Sequence, residues 1–168
     1  MTAGQQAEGP QEGQEGRRVI EPWELAVREA VRDTLARYNH AGDRGRAGEL
    51  AEQFTPDGVL EVQDSLLMEG RPAIARFIAE TVRAGMGGAA RDGRPATVRH
   101  HVSSVLIHDV TPERAKAVSY FAVLTRDGLD HWGRYRDVLV PYGGRWLLSH
   151  RLVRIDAHRA GSAAAEPL

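Results

Sequence analysis

VRHHVSSVLIHDVTPERAKAVSYFAVLTRDGLDHWGRYRDVLVPYGGRWLLSHRLVRID, residues 98–156, decides the fold. Four runs rich in β-branched and aromatic residues stand out: Val98–His108, Ala115–Thr125, Trp132–Pro141 and Trp146–Asp156. Turn-forming segments at Asp109–Glu113, Arg126–Leu129 and Tyr142–Gly144 separate them. Connections this short cannot cross a sheet, so the strands are expected to pair antiparallel in a meander.

Outward from that block toward the N-terminus, the period changes. Val27, Ala30, Val31, Thr34, Leu35 and Tyr38 recur at three- and four-residue spacing, with Arg28, Glu29, Arg32, Asp33 and Arg37 opposite. That is an amphipathic helix, opened by Pro22 and ended at Gly42, with Asp43 in the turn beyond. A short helix over Ala47–Phe54 runs into Thr55-Pro56-Asp57-Gly58, a turn signal. Val59–Val62 and Leu66–Met68 read as a strand pair. Gly70-Arg71-Pro72 opens a third helix carrying Ile74, Phe77, Ile78, Thr81 and Val82 at helical spacing, and residues 85–95 read as a Gly-rich loop. Helices first and long strands after argue an α+β fold, with three N-terminal helices on one face of a curved antiparallel sheet, enclosing a pocket. Residues 1–18 have almost no apolar side chains and are expected to be a disordered tail. A single domain over 19–157 and a frayed tail over 158–168 complete the expected organisation.

The composition narrows the chemistry. Lys+Arg is 22 and Asp+Glu is 23, a balance that gives no electrostatic reason to expect nucleic acid or an anionic membrane. There is no cysteine, which excludes disulfides, thiol nucleophiles and Cys-ligated metals. No transmembrane-length apolar run and no apolar leader are present, so a cytoplasmic protein is expected. The seven histidines contain no HxH or HxxxH pair, and no Walker, dinucleotide-binding or GxSxG motif occurs. Metal binding is not expected.

The polar residues at the helix end and on the strands could carry chemistry. Thr34–Asp43, TLARYNHAGD, gathers Tyr38, His40 and Asp43 where the helix stops. Tyr38 continues the apolar stripe and should point inward. His100 and His101 are adjacent on a strand, so one faces the helices and the other faces away. The inward imidazole is a candidate acid or base, or else a hydrogen-bonded structural group. His131 and Tyr135 share parity on the third long strand, with Asp137 beyond them. His150 and Arg154 share parity on the last, with Trp146, Leu148 and Leu152. An inward Arg154 needs a partner. It could be an ion pair, an anion site for a substrate, or a residue turned outward by a bulge.

The element order resembles the NTF2-like α+β cone-barrel fold, and within it the SnoaL-like group. The resemblance rests on LARYNHAGDRG, FTPDGVLEV, EGRPAIARFI, RHHVSS and GRYRDVLVPYGGRWLLSHRLVRID, spread over residues 22–157. Members include scytalone dehydratase, the bile-acid dehydratase, ketosteroid isomerase, limonene epoxide hydrolase and the polyketide cyclases. The bile-acid dehydratase pattern is the most similar: it implies Tyr38, Asp43, His101 and Arg154 as catalytic residues. His40 stands near the place of a further carboxylate in scytalone dehydratase. Where the epoxide hydrolases carry Arg-x-Asp, this chain has Arg99-x-His101.

Residues and resemblance together imply a cofactor-independent acid–base enzyme, a dehydratase, isomerase or cyclase acting on a hydrophobic small molecule. Asp43 would orient the imidazole of His101 and Tyr38 would hydrogen-bond a carbonyl oxygen. His40, Phe77, Phe121, His131, Trp132, Tyr135, Trp146 and His150 are the expected substrate-binding residues. A homodimer or other homo-oligomer is expected. The alternatives are a non-catalytic binding or assembly module of the same fold, and a small-subunit-like partner of a ring-hydroxylating oxygenase.

Overall fold

The computed structural model describes residues 19–63, 66–84 and 97–162. The expected N-terminal tail, the Gly-rich loop and the last residues of the expected C-terminal tail lie outside them. The element order is α1 (Pro22–Asp43), α2 (Ala47–Ala51), β1 (Phe54–Val62), β2 (Leu66–Glu69), α3 (Gly70–Arg83), β3 (Val98–His108), β4 (Ala115–Thr125), β5 (Gly128–Tyr142) and β6 (Arg145–His158). The fold is mixed α+β, with two helices before the first strand and the third after the short β1–β2 hairpin.

Helix α1 has Pro22 in its first turn and buries Val27, Val31, Thr34, Leu35 and Tyr38, the face that its periodicity defines. Polar ties at Thr34 and Arg28 help fix it to the sheet. Thr34 Oγ1 donates to the Trp146 carbonyl, and Arg28 Nη1 donates to the Ile107 carbonyl at 2.7 Å. The helix runs one residue past the expected stop, so Asp43 is its last residue rather than part of the turn. Gly45, at φ 67°, then reverses the chain, and the Arg46 N–H closes on the Ala41 carbonyl at 2.9 Å.

The six strands form one sheet in the order β2-β1-β6-β5-β4-β3. The meander β3–β4–β5–β6 is antiparallel as expected, but the sheet is mixed: β1 pairs parallel with β6. The Thr55-Pro56-Asp57-Gly58 signal is not a turn between elements. It is an irregularity inside β1, where Phe54 pairs with Leu148 and Val59 already pairs with His150. Pro56 is tolerated there because the ladder is interrupted. Gly58 is needed because a Cβ would sit 2.8 Å from the Leu148 carbonyl oxygen. α2 accordingly stops at Ala51, shorter than expected.

Further bulges bend the meander. Each inserts an extra residue in one strand and changes which parity faces the helices. On β5, Asp130 is extra between Leu129 and His131, which pair with Leu124 and Val123. On β6, Ser149 is extra between Leu148 and His150, and Asp156 between Ile155 and Ala157. Gly133 lies opposite the second of these. A Cβ at Gly133 would meet the Arg154 carbonyl oxygen at 1.9 Å, so only glycine lets β5 and β6 approach this closely.

The main core lies between the helices and the sheet. It joins Val31, Leu35 and Ala41 of α1 to Leu50, Phe54, Leu60, Ile74, Leu139 and Leu148. A smaller cluster of Phe121, Val123 and Tyr135 packs with Val98, Val102, Val153 and Ile155 toward the other end of the meander. The chain stays tied down past the expected boundary at 157. β6 runs to His158, Arg159 N–H donates to the Asp130 carbonyl, and Ser162 is buried.

Candidate active site

A cavity of about 330 Å³ opens between the end of α1, α3 and the concave side of the meander. Its walls are mainly apolar: Leu50, Leu60, Phe77, Phe121, Val153 and Ile155 are among them. Tyr38, Asp43, His100, His131 and Tyr135 bring polar groups into that lining.

Asp43, at the last turn of α1, meets β3 at His100. The His100 Nδ1 lies 2.7 Å from Asp43 Oδ1, and the His100 backbone N–H donates to the same oxygen at 3.1 Å. The two-point contact fixes the ring relative to the helix end. With Nδ1–H donating to the carboxylate, Nε2 is left as an acceptor for a ligand.

His131 belongs to a second pair of this kind. Its Nδ1 lies 2.9 Å from Asp130 Oδ2. Consecutive strand residues normally face opposite ways, and the bulge at Asp130 is what lets these two side chains meet. Asp130 is buried and held from the C-terminal segment by Ser162 Oγ at 2.6 Å and Arg159 Nε at 3.1 Å. Burial alone would raise its carboxyl, but the hydrogen bonds from Ser162 and His131 and the Arg159 contact outweigh that and hold it low. Burial pushes the His131 imidazole below its ordinary value, more than Asp130 raises it, so the ring is neutral near pH 7.

Behind the cavity lies a charged stack. Arg151 is wholly buried, and its Nε and Nη2 donate to the two Asp137 oxygens at 2.8 Å each. Its guanidinium carbon sits 4.0 Å from the Tyr38 ring centroid and 4.2 Å from that of Tyr135. Burial opposes the charge, yet Asp137 holds Arg151 above its ordinary value. Burial raises the Tyr38 phenol against the opposing pull of Arg151, and raises Tyr135 with help from Tyr38. Both phenols therefore stay protonated and can donate hydrogen bonds.

The structure brings together Tyr38, Asp43, Phe77, Phe121, His131 and Tyr135 of the expected residues. It corrects the others. His101 is exposed and faces away, and His100 takes the inward place, because a shift of one residue on a strand exchanges the faces. Arg154 does not line the cavity. The extra Ser149 moves the inward parity of β6 from 150, 152 and 154 to 151, 153 and 155. His150 turns outward by the same shift and meets Glu61 at 2.9 Å. His40 is exposed on the last turn of α1, Trp132 is exposed as the outward neighbour of His131, and Trp146 packs on the main core. Sequence reasoning missed the Asp130–His131 pair and the placing of Arg151. The adjacent Asp-His at 130–131 was the available signal, but alternation argued against it.

Fold and site define an NTF2-like protein: helices over one face of a curved sheet, with an apolar cavity between. Residues 23–152 match the model of the SnoaL-like domain, and the chain belongs to that family. A protein from Catenulispora acidiphila, solved in complex with S-DNPA, is 33% identical, over 79% of this chain and 95% of that one, with a TM-score of 0.66. An NTF2-like protein with a cystatin-like fold from Novosphingobium aromaticivorans is 24% identical over 88% and 98% of the two chains, TM-score 0.66. ActVI-ORFA from Streptomyces coelicolor is 21% identical over 78% and 98%, TM-score 0.64. These last two show the fold alone. No curated protein matches the chain.

Proposed function

We propose that this protein is a cofactor-independent acid–base enzyme, a dehydratase, isomerase or cyclase, acting on a hydrophobic small molecule. The observation that carries this reading is the 2.7 Å contact of His100 Nδ1 with Asp43 in the wall of an apolar cavity. An imidazole held by a carboxylate, with its second nitrogen left for a ligand, is equipped to exchange a proton with a bound molecule. Tyr38, protonated and lining the same cavity, donates a hydrogen bond to a carbonyl oxygen as charge develops on it. Arg151 contributes from behind: it stacks on Tyr38 and Tyr135 and fixes their rings, without lining the cavity itself. The apolar walls select a hydrophobic substrate and exclude water from the exchange. The bound S-DNPA in the Catenulispora acidiphila relative is consistent with a family member that receives a ligand.

The test is turnover of a panel of hydrophobic β-hydroxyketones, monitored by loss of water. His100→Gln and Asp43→Asn are each expected to lower the rate by about 10²–10⁴-fold while circular dichroism stays native. Full activity in both variants would refute the assignment.

A further inference from the structure

Beyond β6 the chain returns to the cavity wall. β6 finishes beside β5, with His158 paired to His131. The turn that follows, residues 159–162, folds back onto the bulge at Asp130. Groups of that turn converge on this one residue. The Arg159 backbone N–H donates to the Asp130 carbonyl at 2.8 Å, Arg159 Nε donates to Asp130 Oδ1 at 3.1 Å, and the Ser162 hydroxyl donates to Asp130 Oδ2 at 2.6 Å. Arg159 Nη2 also reaches Asp127, between β4 and β5, at 3.5 Å.

Asp130 is in turn the partner of a ring in the cavity lining. Its Oδ2, the oxygen that takes the Ser162 hydroxyl, lies 2.9 Å from His131 Nδ1. An ionised carboxylate only accepts, so His131 carries its proton on Nδ1 and leaves Nε2 as an acceptor. Phe121 meets the ring edge-on, with centroids 5.9 Å apart, and the imidazoles of His100 and His158 both disfavour its charge. Asp130 therefore sets the tautomer and orientation of His131. By strand alternation the two side chains would face apart. The tie from the Arg159 N–H to the Asp130 carbonyl secures the bulge in which they meet.

We infer that Arg159 and Ser162 are positioning residues of the cavity: through Asp130 they hold His131 as a fixed hydrogen-bond acceptor for a donor group on the ligand. Neither lines the cavity itself. Together they occupy both carboxylate oxygens, so that Asp130 does not rotate away from Nδ1. The guanidinium also meets part of the carboxylate charge, so Asp130 orients the imidazole without drawing a second proton onto it. A ligand that brings an O–H or N–H to His131 then finds a lone pair on Nε2. This rests on the proposed function in taking the cavity as a ligand site, and it needs no turnover.

Long-range proton–nitrogen correlation spectra of the full-length protein, labelled at histidine nitrogen, read the tautomer and titration of each ring with no substrate present. They are recorded from about pH 5 to 8, where imidazole titrates, and assigned with His131→Gln and His100→Gln. In the wild type, His131 is expected with its proton on Nδ1 and Nε2 bare. Arg159→Gln removes the cation from Asp130, so the titration of His131 should move to higher pH, and that of His100, bonded to Asp43, should not rise with it. Arg159→Lys keeps a cation there and should bring His131 back toward the wild-type position. Ser162→Ala strips an uncharged donor from the same carboxylate and should move His131 the same way; it decides the matter if Arg159→Gln fails to fold. A wild-type His131 protonated on Nε2, or a titration unmoved in both variants, would overturn the inference. A rise of His131 and His100 together would make the turn a general brace and overturn it equally. The turnover of His100→Gln and Asp43→Asn is a separate readout, so the proposed function and this inference can each fail alone.

Discussion

Splitting the buried Arg151–Asp137 pair should cost this protein a large part of its stability, and removing both members should not. Both side chains are fully inaccessible to solvent, and the pair is bidentate at 2.8 Å. In Asp137→Leu the guanidinium stays buried between two rings with no counter-charge, and it cannot shed its proton. Breaking a buried pair from one side costs about 3–5 kcal/mol. For a domain of this size that is a fall in Tm of roughly 10–15 °C. In the double variant Arg151→Met/Asp137→Leu both desolvation penalties vanish and apolar volume replaces them, so stability should return to within about 1 kcal/mol of wild type. Equilibrium urea unfolding followed by tryptophan fluorescence measures all four corners of the cycle. The coupling between the two sites should be several kcal/mol and of compensating sign. If Asp137→Leu alone lost less than about 1 kcal/mol, water must reach the pair, and the picture of a dry charged stack behind the cavity would be wrong.

Other contacts set further outcomes. The His131 imidazole is depressed by burial, so folding favours its neutral form. Its contribution to stability is complete above its ordinary value of 6.5 and is lost as pH falls through the folded value, whereas that of Asp130, also held low, is lost only below the ordinary carboxylate value of 3.8. Unfolding free energies measured from pH 7.5 down to 5 should therefore drop more steeply in wild type than in His131→Gln, and equal slopes would remove the depression. Ser162→Ala takes a 2.6 Å hydrogen bond from buried Asp130 and should cost about 1 kcal/mol in the same denaturation assay. Gly133→Ala drives a methyl into the Arg154 carbonyl and should destabilise by about 1–3 kcal/mol or more; an unchanged Tm would mean that the strands separate there freely.

Much of the architecture was legible before the structure. Periodicity located α1 and α3, and the four long strands with their short turns gave the meander. The parallel pairing of β1 with β6 was not legible, because nothing local records which strand a distant segment will join. The site divides in the same way. Tyr38 was legible because it extends a helical stripe, and His131 and Tyr135 because they are four apart on one strand. Arg151 was not, since the extra residue at Ser149 reverses the alternation that had put Arg154 inward. His100 against His101 was an even choice between two faces, and likeness of motif settled it toward the wrong one. The Asp130–His131 pair was hidden by the same rule that misplaced Arg151: neighbours on a strand face apart, except at a bulge.

The parallel β1–β6 pair also dictates an order of events as the chain is made. Val59 waits for His150, about ninety residues downstream, and such distant pairing is slow to form. Until β6 has been synthesised, the edge of β1 away from β2 stays open and α1 has no Trp146 carbonyl to receive Thr34. A nascent chain halted before β6 would hold an unpaired edge beside an uncovered apolar helix face, the combination that draws strands together between molecules. The last strand is therefore what closes the domain against self-association. A truncation that removes β6 should yield aggregate rather than a smaller folded unit.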